Sequence, residues 1–394
     1  MMSLFEIAKK ILPRPKGETR QRFLIAFMQF CQVLPINREK VVFSCFNGTK
    51  YSDNPKAIYV ALKKIRPEWK YVWMLPDDSV KLRNAKVVKT GSFESVYHLA
   101  TARVWIDNCR KNEWVVKRKK QYYVQTWHAN VGLKKAEKDA QETLPQSYLN
   151  RCYNDSRMAD LFIAGSAWNA QNYRDAYWYD GEILMSGLPR SDIFYKDFSS
   201  YYKAVCRFFR VPEQVHFCLY APTFRDSKTL ECYDIDFEKL KQSLESKWGG
   251  EWQILVRLHP NIQDKQNNIK YSDYVRNASA YKEINELIVA SELLITDYSS
   301  CMFDAMEARK RVVLYATDIE NFQNERQFYF ELGKLPFPLT QTNNDLVTAV
   351  ECFDDASYVQ KCEELKKKLG ICDGPDSSAK VAKYIIRKVE GRNN

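Results

Sequence analysis

The sequence predicts an α/β protein with two Rossmann-like, doubly wound lobes and a cleft between them. Its 394 residues exceed what a single hydrophobic core usually organises, because domains cluster near roughly 100–200 residues. From residue 40 onward, short β-branched and aromatic runs alternate with stretches that carry apolar residues at helical spacing. This alternation indicates parallel sheets covered by helices. A break at 196–214 separates the runs into two series, one for each lobe.

The predicted elements follow in order along the chain. The strand candidates of the first series lie at 41–46, 71–75, 87–90, 104–109, 122–127, 161–166 and 182–187. Those of the second series lie at 216–222, 252–260, 293–299 and 312–317. Helices are expected at 235–247, 281–292 and 376–394, the last packing back on the lobes. We therefore divide the chain into 1–36, 37–205, 206–375 and 376–394.

Residues 1–36 differ from the rest of the chain. Apolar residues alternate with basic ones before Pro13 and Pro15, and the apolar run at 23–36 follows Arg20 and Arg22. Two short amphipathic helices would give this pattern. They either anchor the protein on an anionic membrane surface or pack on the first lobe. No apolar run approaches the roughly 20 residues needed to cross a bilayer.

Charge and cysteine content narrow the functional classes. Lysine and arginine number 60 against 49 aspartate and glutamate, a net charge of +11. This surplus suggests an anionic partner: a phosphorylated substrate, a nucleic acid or an acidic membrane surface. The eleven cysteines contain no CxxC pair, and no signal peptide is evident, so we expect a cytoplasmic protein without disulfides or zinc.

The candidate functional residues stand where strands end, because ligands of open parallel sheets bind beyond the carboxyl ends of the strands. His128 follows the run at 122–127 and is either a general base or a structural histidine. Arg257 and His259 follow another strand and share one face of it, unless His259 is a buried, hydrogen-bonded histidine.

Two further strand ends carry groups suited to phosphate. Thr223 and Arg225 follow the run at 216–222, where Arg225 would clamp phosphate oxygens or pair with Asp226 on the surface. Asp297, Ser299 and Ser300 stand between a strand and a helix, and this arrangement is typical of an oxyanion site or of an ordinary helix cap. Together with the positive charge, these residues favour a phosphate-rich ligand.

Other ligand classes find little support. The Asp234–Asp236 pair matches the spacing of a DxD metal motif but stands early in a helical stretch, so no metal site is predicted. Neither GxGxxG nor GxxxxGK[ST] occurs, which argues against dinucleotide and P-loop sites. No aromatic RNA-binding motif or zinc finger is found, so a nucleic acid partner is not expected.

Taken together, these motifs resemble the CDP-glycerol glycerophosphotransferase family of teichoic acid and capsule synthesis. The motifs that carry the resemblance are FSCFNGTKYSDNPKAIY (43–59), QTWH (125–128), SGLPRSDIF (186–194), YAPTFRD (220–226), RLHP (257–260), ITDYSSCMFDAM (295–306), VVLYATDIENF (312–322), RQFYF (326–330) and DGxxSS (373–378). The resemblance implies a glycosyltransferase-B-like fold and transfer of an alditol phosphate from CDP-glycerol or CDP-ribitol, with CMP released. It implies no cofactor beyond that donor.

Roles for the site residues also come from the resemblance. It implies that His128 takes the proton of an acceptor hydroxyl in the first lobe. Arg225, His259 and the loop at 297–300 would hold the donor pyrophosphate in the second lobe and stabilise the charge that develops there, which makes His259 the second expected catalytic residue. Supporting or direct roles fall to Asn54, Arg190, Asp192 and Arg326.

The resemblance also bears on the acceptor and on where the protein works. The chain reads Ala129-Asn130-Val131-Gly132 where the family usually has Gly-Thr-Pro, a difference that concerns the acceptor. The expected acceptor is a lipid-linked or polymeric surface glycan at the inner face of a bacterial membrane. A nucleotide-sugar glycosyltransferase of the same fold is the alternative.

Overall fold

The computed structural model describes residues 17–223, 225, 234–258, 269–320, 322 and 327–391. Its first lobe is built on a seven-stranded parallel sheet with the order β3-β2-β1-β4-β5-β6-β7. The strands are β1 Asn37–Phe43, β2 Lys70–Leu75, β3 Lys86–Lys89, β4 Ala102–Asp107, β5 Tyr122–Gln125, β6 Leu161–Ala164 and β7 Glu182–Met185. The helices before and between them are α1 Gly17–Cys31, α2 Asp53–Ile65, α3 Phe93–Thr101, α4 Gln146–Met158 and α5 Ala167–Ala176.

The second lobe has a six-stranded parallel sheet with the order β10-β9-β8-β11-β12-β13. Its strands are β8 His216–Tyr220, β9 Trp252–Val256, β10 Val275–Asn277, β11 Leu293–Thr296, β12 Arg311–Tyr315 and β13 Leu339–Thr340. Its helices are α6 Ser199–Phe209, α7 Phe237–Trp248, α8 Ile284–Ala290, α9 Cys301–Glu307, α10 Asn343–Glu351 and α11 Asp355–Leu369, and α12 Ser377–Glu390 ends the chain's secondary structure. Two parallel Rossmann-like lobes are thus confirmed.

All eleven predicted runs contain a strand, and every strand except β2 ends before its run does. The run at 104–109, for example, belongs to β4 only as far as Asp107, and the run at 122–127 ends as β5 at Gln125. Apolar residues beyond those points belong to loops that line or support the cleft. β10 and β13 were not predicted, because three and two residues are too short to give an alternating pattern.

The core of each lobe lies between its sheet and the helices that cover it. The terminal helix α12 returns to the first lobe, where Val381 and Ile385 are fully buried against Val41, Phe43 and Ile58. In contrast, α6 packs into the core of the second lobe through Val205 and Cys206, so the predicted boundary at 205/206 falls inside this helix.

Helix α1 packs on the first lobe, as one of the two interpretations of the N-terminal segment expects. Leu24, Met28 and Cys31 are buried in the same core as Leu99 of α3. The Phe27 ring meets that of Phe93 edge-on with the centroids 5.2 Å apart. Residues 1–16 lie outside the described part of the chain. Within that part, no helix combines the length and apolar character needed to cross a membrane.

Backbone hydrogen bonds tie the two lobes together beside the cleft. The Lys135 amide donates to the Gln327 carbonyl at 2.8 Å, and the Tyr329 amide donates to the Leu133 carbonyl at 2.8 Å. The Tyr329 hydroxyl also donates to the Asp139 carboxylate at 2.7 Å. The loop that follows His128 in the first lobe is therefore paired with a segment of the second lobe.

The packing of α12 gives a test with a matched pair of valines. Val381→Ala should lower the free energy of unfolding of the first lobe by about 2 kcal/mol, because it removes two fully buried methyl groups and leaves a cavity. Val359→Ala on α11, where the valine is 57% exposed, should change it by less than about 0.5 kcal/mol. Urea denaturation followed by tryptophan fluorescence measures both. Equal effects would mean that α12 does not dock on the first lobe.

Candidate active site

A cleft of about 1530 Å³ lies between the lobes, at the carboxyl ends of their strands. It brings together residues predicted from both halves of the sequence: His128, Arg190, Asp192, Thr223, Arg257, Ser299 and Ser300. Nine lysines and arginines line it against five aspartates and glutamates. The positive charge of the chain is thus also present where a ligand would bind, and it suits an anionic ligand.

The imidazole of His128 is oriented by a backbone carbonyl. Its Nδ1 lies 2.9 Å from the carbonyl oxygen of Asn108, which can only accept, so Nδ1 carries the proton. The other nitrogen, Nε2, is then an acceptor on a residue that lines the cleft. Burial lowers the pKa of His128 from its ordinary value of 6.5, and the charge of Arg190 lowers it further. The bond to Asn108 and the charge of Asp53 raise the pKa but do not cancel this shift. The ring is therefore neutral and basic at Nε2 near pH 7.

The residue before His128 has a strained backbone. Trp127 has a φ of 49°, which is unusual for a residue other than glycine. Its amide donates to the Gln125 side chain at 3.0 Å, and its carbonyl accepts from Asn54 Nδ2 at 3.1 Å. The indole stacks on the imidazole with the ring centroids 4.6 Å apart. Strain that is held by several contacts is typical of functional sites, and here it positions His128.

A buried ionic cluster lies beneath this turn, and the sequence analysis missed it. Arg110 donates to both carboxylate oxygens of Glu137, at 2.8 and 2.7 Å, and to Asp155 at 3.1 Å. Its guanidinium lies 5.4 Å from the centroid of the Trp127 ring. Arg110 comes three residues after β4, which was a signal that strand-end reasoning could have used. Its partners Glu137 and Asp155 lie 27 and 45 residues further along the chain, and the sequence around them does not indicate this contact.

Arg190 joins the lobes at the edge of the cleft. Its Nη1 donates to Asp53 of the first lobe at 3.1 Å, and its Nη2 donates to Asp304 of α9 at 2.7 Å. The Arg190 amide donates to the Asn54 side chain at 3.0 Å. Burial raises the pKa of Asp304 to about 6, and Arg190 opposes the shift. These contacts indicate that Arg190 and Asn54 position loops around the cleft.

Asp192 has a similar supporting geometry. Its carboxylate accepts hydrogen bonds from the amide and hydroxyl of Ser378 at the start of α12. Burial raises the pKa of Asp192, which these hydrogen bonds oppose. The 3₁₀ turn Pro189–Tyr195 is thereby fixed to α12.

Arg225 is engaged in buried ion pairs. It donates to Asp318 at 2.7 and 3.0 Å, to Asp297 at 2.8 Å and to the Thr223 carbonyl at 2.7 Å. The side chain is 3% exposed and stacks on Tyr298. Asp297 also accepts from the Thr223 amide at 2.8 Å. These contacts favour a positioning role for Arg225 and Asp297 over the predicted phosphate clamp, and the expected Asp226 partner lies outside the described residues.

Arg257, Ser299 and Ser300 face the cleft from the second lobe. Arg257 Nη1 donates to the carbonyls of Ala278 and Tyr281, at 3.2 and 2.5 Å. Ser300 precedes α9 without a side-chain capping bond, so its hydroxyl is not used as an ordinary cap. Two further predicted residues, His259 and Arg326, lie outside the described part of the chain.

The DxD spacing places Asp236 at the start of a helix. Asp236 caps α7 by accepting from the Lys239 amide at 3.1 Å. Across the described ranges, no group of three or more histidine, cysteine, aspartate or glutamate side chains could hold a metal ion.

Comparisons with known proteins show what the chain is similar to. A teichoic acid poly(glycerol phosphate) polymerase from Bacillus subtilis is 28% identical over 345 residues, which cover 82% of this chain and 45% of that protein. A protein of the same description from Bacillus spizizenii is 26% identical over 392 residues, covering 96% of this chain and 99% of the relative. The chain thus spans less than half of the first relative and nearly all of the second.

A solved structure extends the likeness to the fold. A variant of the wall teichoic acid polymerase TagF soaked with CDPG has a TM-score of 0.83 and 25% identity, covering 94% of this chain and 95% of that one. Residues 24–387 match the family described as CDP-Glycerol:Poly(glycerophosphate) glycerophosphotransferase. The chain belongs to this glycerophosphotransferase family.

Proposed function

We propose that this protein transfers glycerol phosphate from CDP-glycerol to a hydroxyl group of a lipid-linked or polymeric surface-glycan acceptor and releases CMP. The observation that carries the proposal is the placement of His128 in the cleft. Its Nε2 is an unprotonated acceptor, and the cationic and hydroxyl groups of Arg257, Ser299 and Ser300 line the same cleft from the other lobe. Membership of the family and the relatives' named activities support the same reaction.

The chemistry needs a base and a positively charged cradle. Nε2 of His128 takes the proton of the acceptor hydroxyl as its oxygen attacks the β-phosphorus of the donor. The bond from that phosphorus to the bridging oxygen breaks, and CMP leaves with the bonding electrons. Phosphoryl transfer depends on such positioning and on stabilising charge on the phosphoryl oxygens. Arg257, the serine hydroxyls and the Thr223 side chain would supply that stabilisation, with His259 as a further group.

The identity of the acceptor is the finer part of the proposal. The net positive cleft suits an acceptor that already carries phosphates, such as a growing teichoic acid chain. Ala129 and Gly132 line the cleft beside His128, so the departure from the family's Gly-Thr-Pro lies where an acceptor would contact the protein. CDP-ribitol remains the alternative donor.

The test is a transfer assay with purified protein, a glycerol-phosphate-primed acceptor and CDP-glycerol, CDP-ribitol or UDP-glucose. CMP release with CDP-glycerol is expected, whereas release of UDP from UDP-glucose would indicate a sugar transferase. His128→Ala should reduce kcat by ~10²–10⁴-fold, because it removes the general base. Calorimetric titration should show that His128→Ala still binds CMP like the unchanged protein. An active His128→Ala variant would contradict the base assignment.

The lowered pKa of His128 predicts the pH dependence of the reaction. The base works only when its imidazole is neutral, so kcat/KM, which reports the free enzyme, should fall on the acid side as pH drops through the pKa of His128. Because burial lowers this pKa from 6.5, the acid limb of log kcat/KM against pH should have its midpoint below 6.5. The same midpoint should disappear in the residual activity of His128→Asn. A midpoint at or above 6.5 would contradict the electrostatic assignment.

We propose in addition that the protein works on an anionic membrane surface through α1 and the turn that follows it. Phe23 and Phe30 of α1 are 36% and 56% exposed, and Val33 in the turn is 79% exposed. Basic residues such as Arg20 and Arg22 flank this apolar surface, as in interfacial helices. Deleting residues 1–36 would also remove buried core residues, so substitutions on the exposed side are the cleaner test.

Sedimentation with phosphatidylglycerol vesicles checks this membrane proposal. Val33→Asp should weaken vesicle binding about tenfold, since burying one valine is worth ~1.5 kcal/mol or more. Val359→Asp, on α11 of the second lobe, is the matched exposed valine and should bind like the unchanged protein. Equal binding of both variants would overturn the proposed membrane contact of α1 and the turn that follows it.

A further inference from the structure

The loop after β1 has a sharply strained backbone. Phe46, Asn47 and Gly48 follow one another with φ values of 47°, 58° and 70°, all in the left-handed region. Single left-handed residues are common in turns, but successive ones that include phenylalanine are costly. Such strain persists only where surrounding contacts hold it, and it concentrates at functional sites.

Specific contacts hold this loop in place. The Phe46 amide donates to the Asn108 side chain at 2.7 Å, and the Thr49 hydroxyl donates to the Phe46 carbonyl at 2.6 Å. The Thr90 hydroxyl donates to the Gly48 carbonyl at 2.7 Å. A Cβ at position 48 would lie 2.5 Å from Thr90 Oγ1, so only glycine fits there. The loop is therefore rigid, and the same Asn108 that orients His128 also holds Phe46.

This rigid loop presents Lys50 to the cleft. The Phe46 ring lies 5.7 Å from the His128 ring, and Lys50 Nζ lies 5.5 Å from the centroid of the Phe46 ring. Lys50 is half-buried, and no carboxylate of the described chain lies within ion-pair distance of its Nζ. Lys56 in the same cleft differs, because it is paired with Glu283 at 2.6 Å.

A second cation lines the cleft from the other lobe. Arg257 is held by backbone carbonyls and has no carboxylate partner among the described residues. Burial lowers the pKa of Lys50, and the charge of Arg257 lowers it further. Both cations line the cleft, and Glu283, an acid of the same lining, is already paired with Lys56. An anion between them would relieve the repulsion.

We infer that Lys50 is a catalytic residue that binds the β-phosphoryl group of the donor, opposite Arg257. The inference rests on the proposed function and extends it to a residue of the first lobe. Lys50 forms no covalent bond. Its ammonium group donates to the non-bridging oxygens of the phosphoryl group while the acceptor oxygen attacks and the bond to CMP breaks, as a point charge suits phosphate.

Comparing CDP with CMP isolates this contact, because CDP has the β-phosphate and CMP lacks it. Isothermal titration calorimetry of the full-length protein should show tighter binding of CDP than of CMP. Lys50→Met should weaken CDP binding by about 10–100-fold, as expected for losing a hydrogen bond to a charged group, and leave CMP binding within about twofold. Lys50→Arg should keep part of the preference for CDP.

The control is Lys64→Met, which removes an exposed lysine of α2 outside the cleft and should leave both affinities unchanged. Circular dichroism and thermal melting show whether each variant is folded. If Lys50→Met weakens the binding of CDP and CMP equally, or weakens neither, the role of Lys50 is overturned while the proposed function stands. An unchanged protein that binds neither nucleotide would overturn the proposed function, and this inference with it.

Discussion

The arrangement of the cleft depends on the buried guanidinium of Arg190. It bridges Asp53, at the start of α2, and Asp304 of α9, and all three side chains are less than 10% exposed. Charges buried in this way are costly unless each one has its partners, so neither lobe can withdraw without leaving an unpaired charge behind. The distance between the strand ends of the two sheets is thereby fixed. The sites on either side of the cleft face each other because this contact holds them.

The buried acidic groups explain why a chain with only a modest surplus of positive charge has a basic cleft. Asp297 and Asp318 neutralise Arg225, while Glu137 and Asp155 neutralise Arg110. Apart from Glu137, these residues do not line the cleft but hold the loops around it. The cations that line the cleft therefore have fewer acidic partners than the ratio of acidic to basic residues in the whole chain suggests. Arg225 and Arg257 illustrate the difference, since the former is paired with two carboxylates and the latter, among the described residues, donates to carbonyls.

Much of the fold was predictable from the sequence, and the reasons lie in particular elements. Buried parallel strands such as β9 and β11 are short runs of mostly apolar residues, and their composition identifies them without any partner. Strand-end reasoning found His128, Arg257 and Ser299, because all parallel strands of a sheet direct their carboxyl ends to one edge. It could not tell Arg225 from Arg257, because both follow strands and differ only in partners that come from distant parts of the chain.

The residues that the sequence patterns did not predict were missed for one physical reason. Lys50 and Asp53 come several residues after the end of β1, beyond the left-handed turn at 46–48. Only one residue of that turn is a glycine, so the sequence gives little indication of the turn. Asp304 lies within a helix and becomes important only because the other lobe places Arg190 beside it. Contacts between lobes depend on how two separately predictable units meet, and local pattern carries no information on that.

The environment of His128 shows why the two lobes must act as one unit. A backbone carbonyl holds its Nδ1 proton, so the imidazole lacks the carboxylate that would raise its pKa in a catalytic triad. Asp53 and Arg190 act on it in opposite directions, and the charge of Arg190 is itself balanced by Asp304 from the second lobe. The two charged residues that act on the pKa of His128, Asp53 and Arg190, are therefore also residues of the buried bridge to Asp304 of the second lobe. The charges that tune the base belong to the contact that joins the lobes.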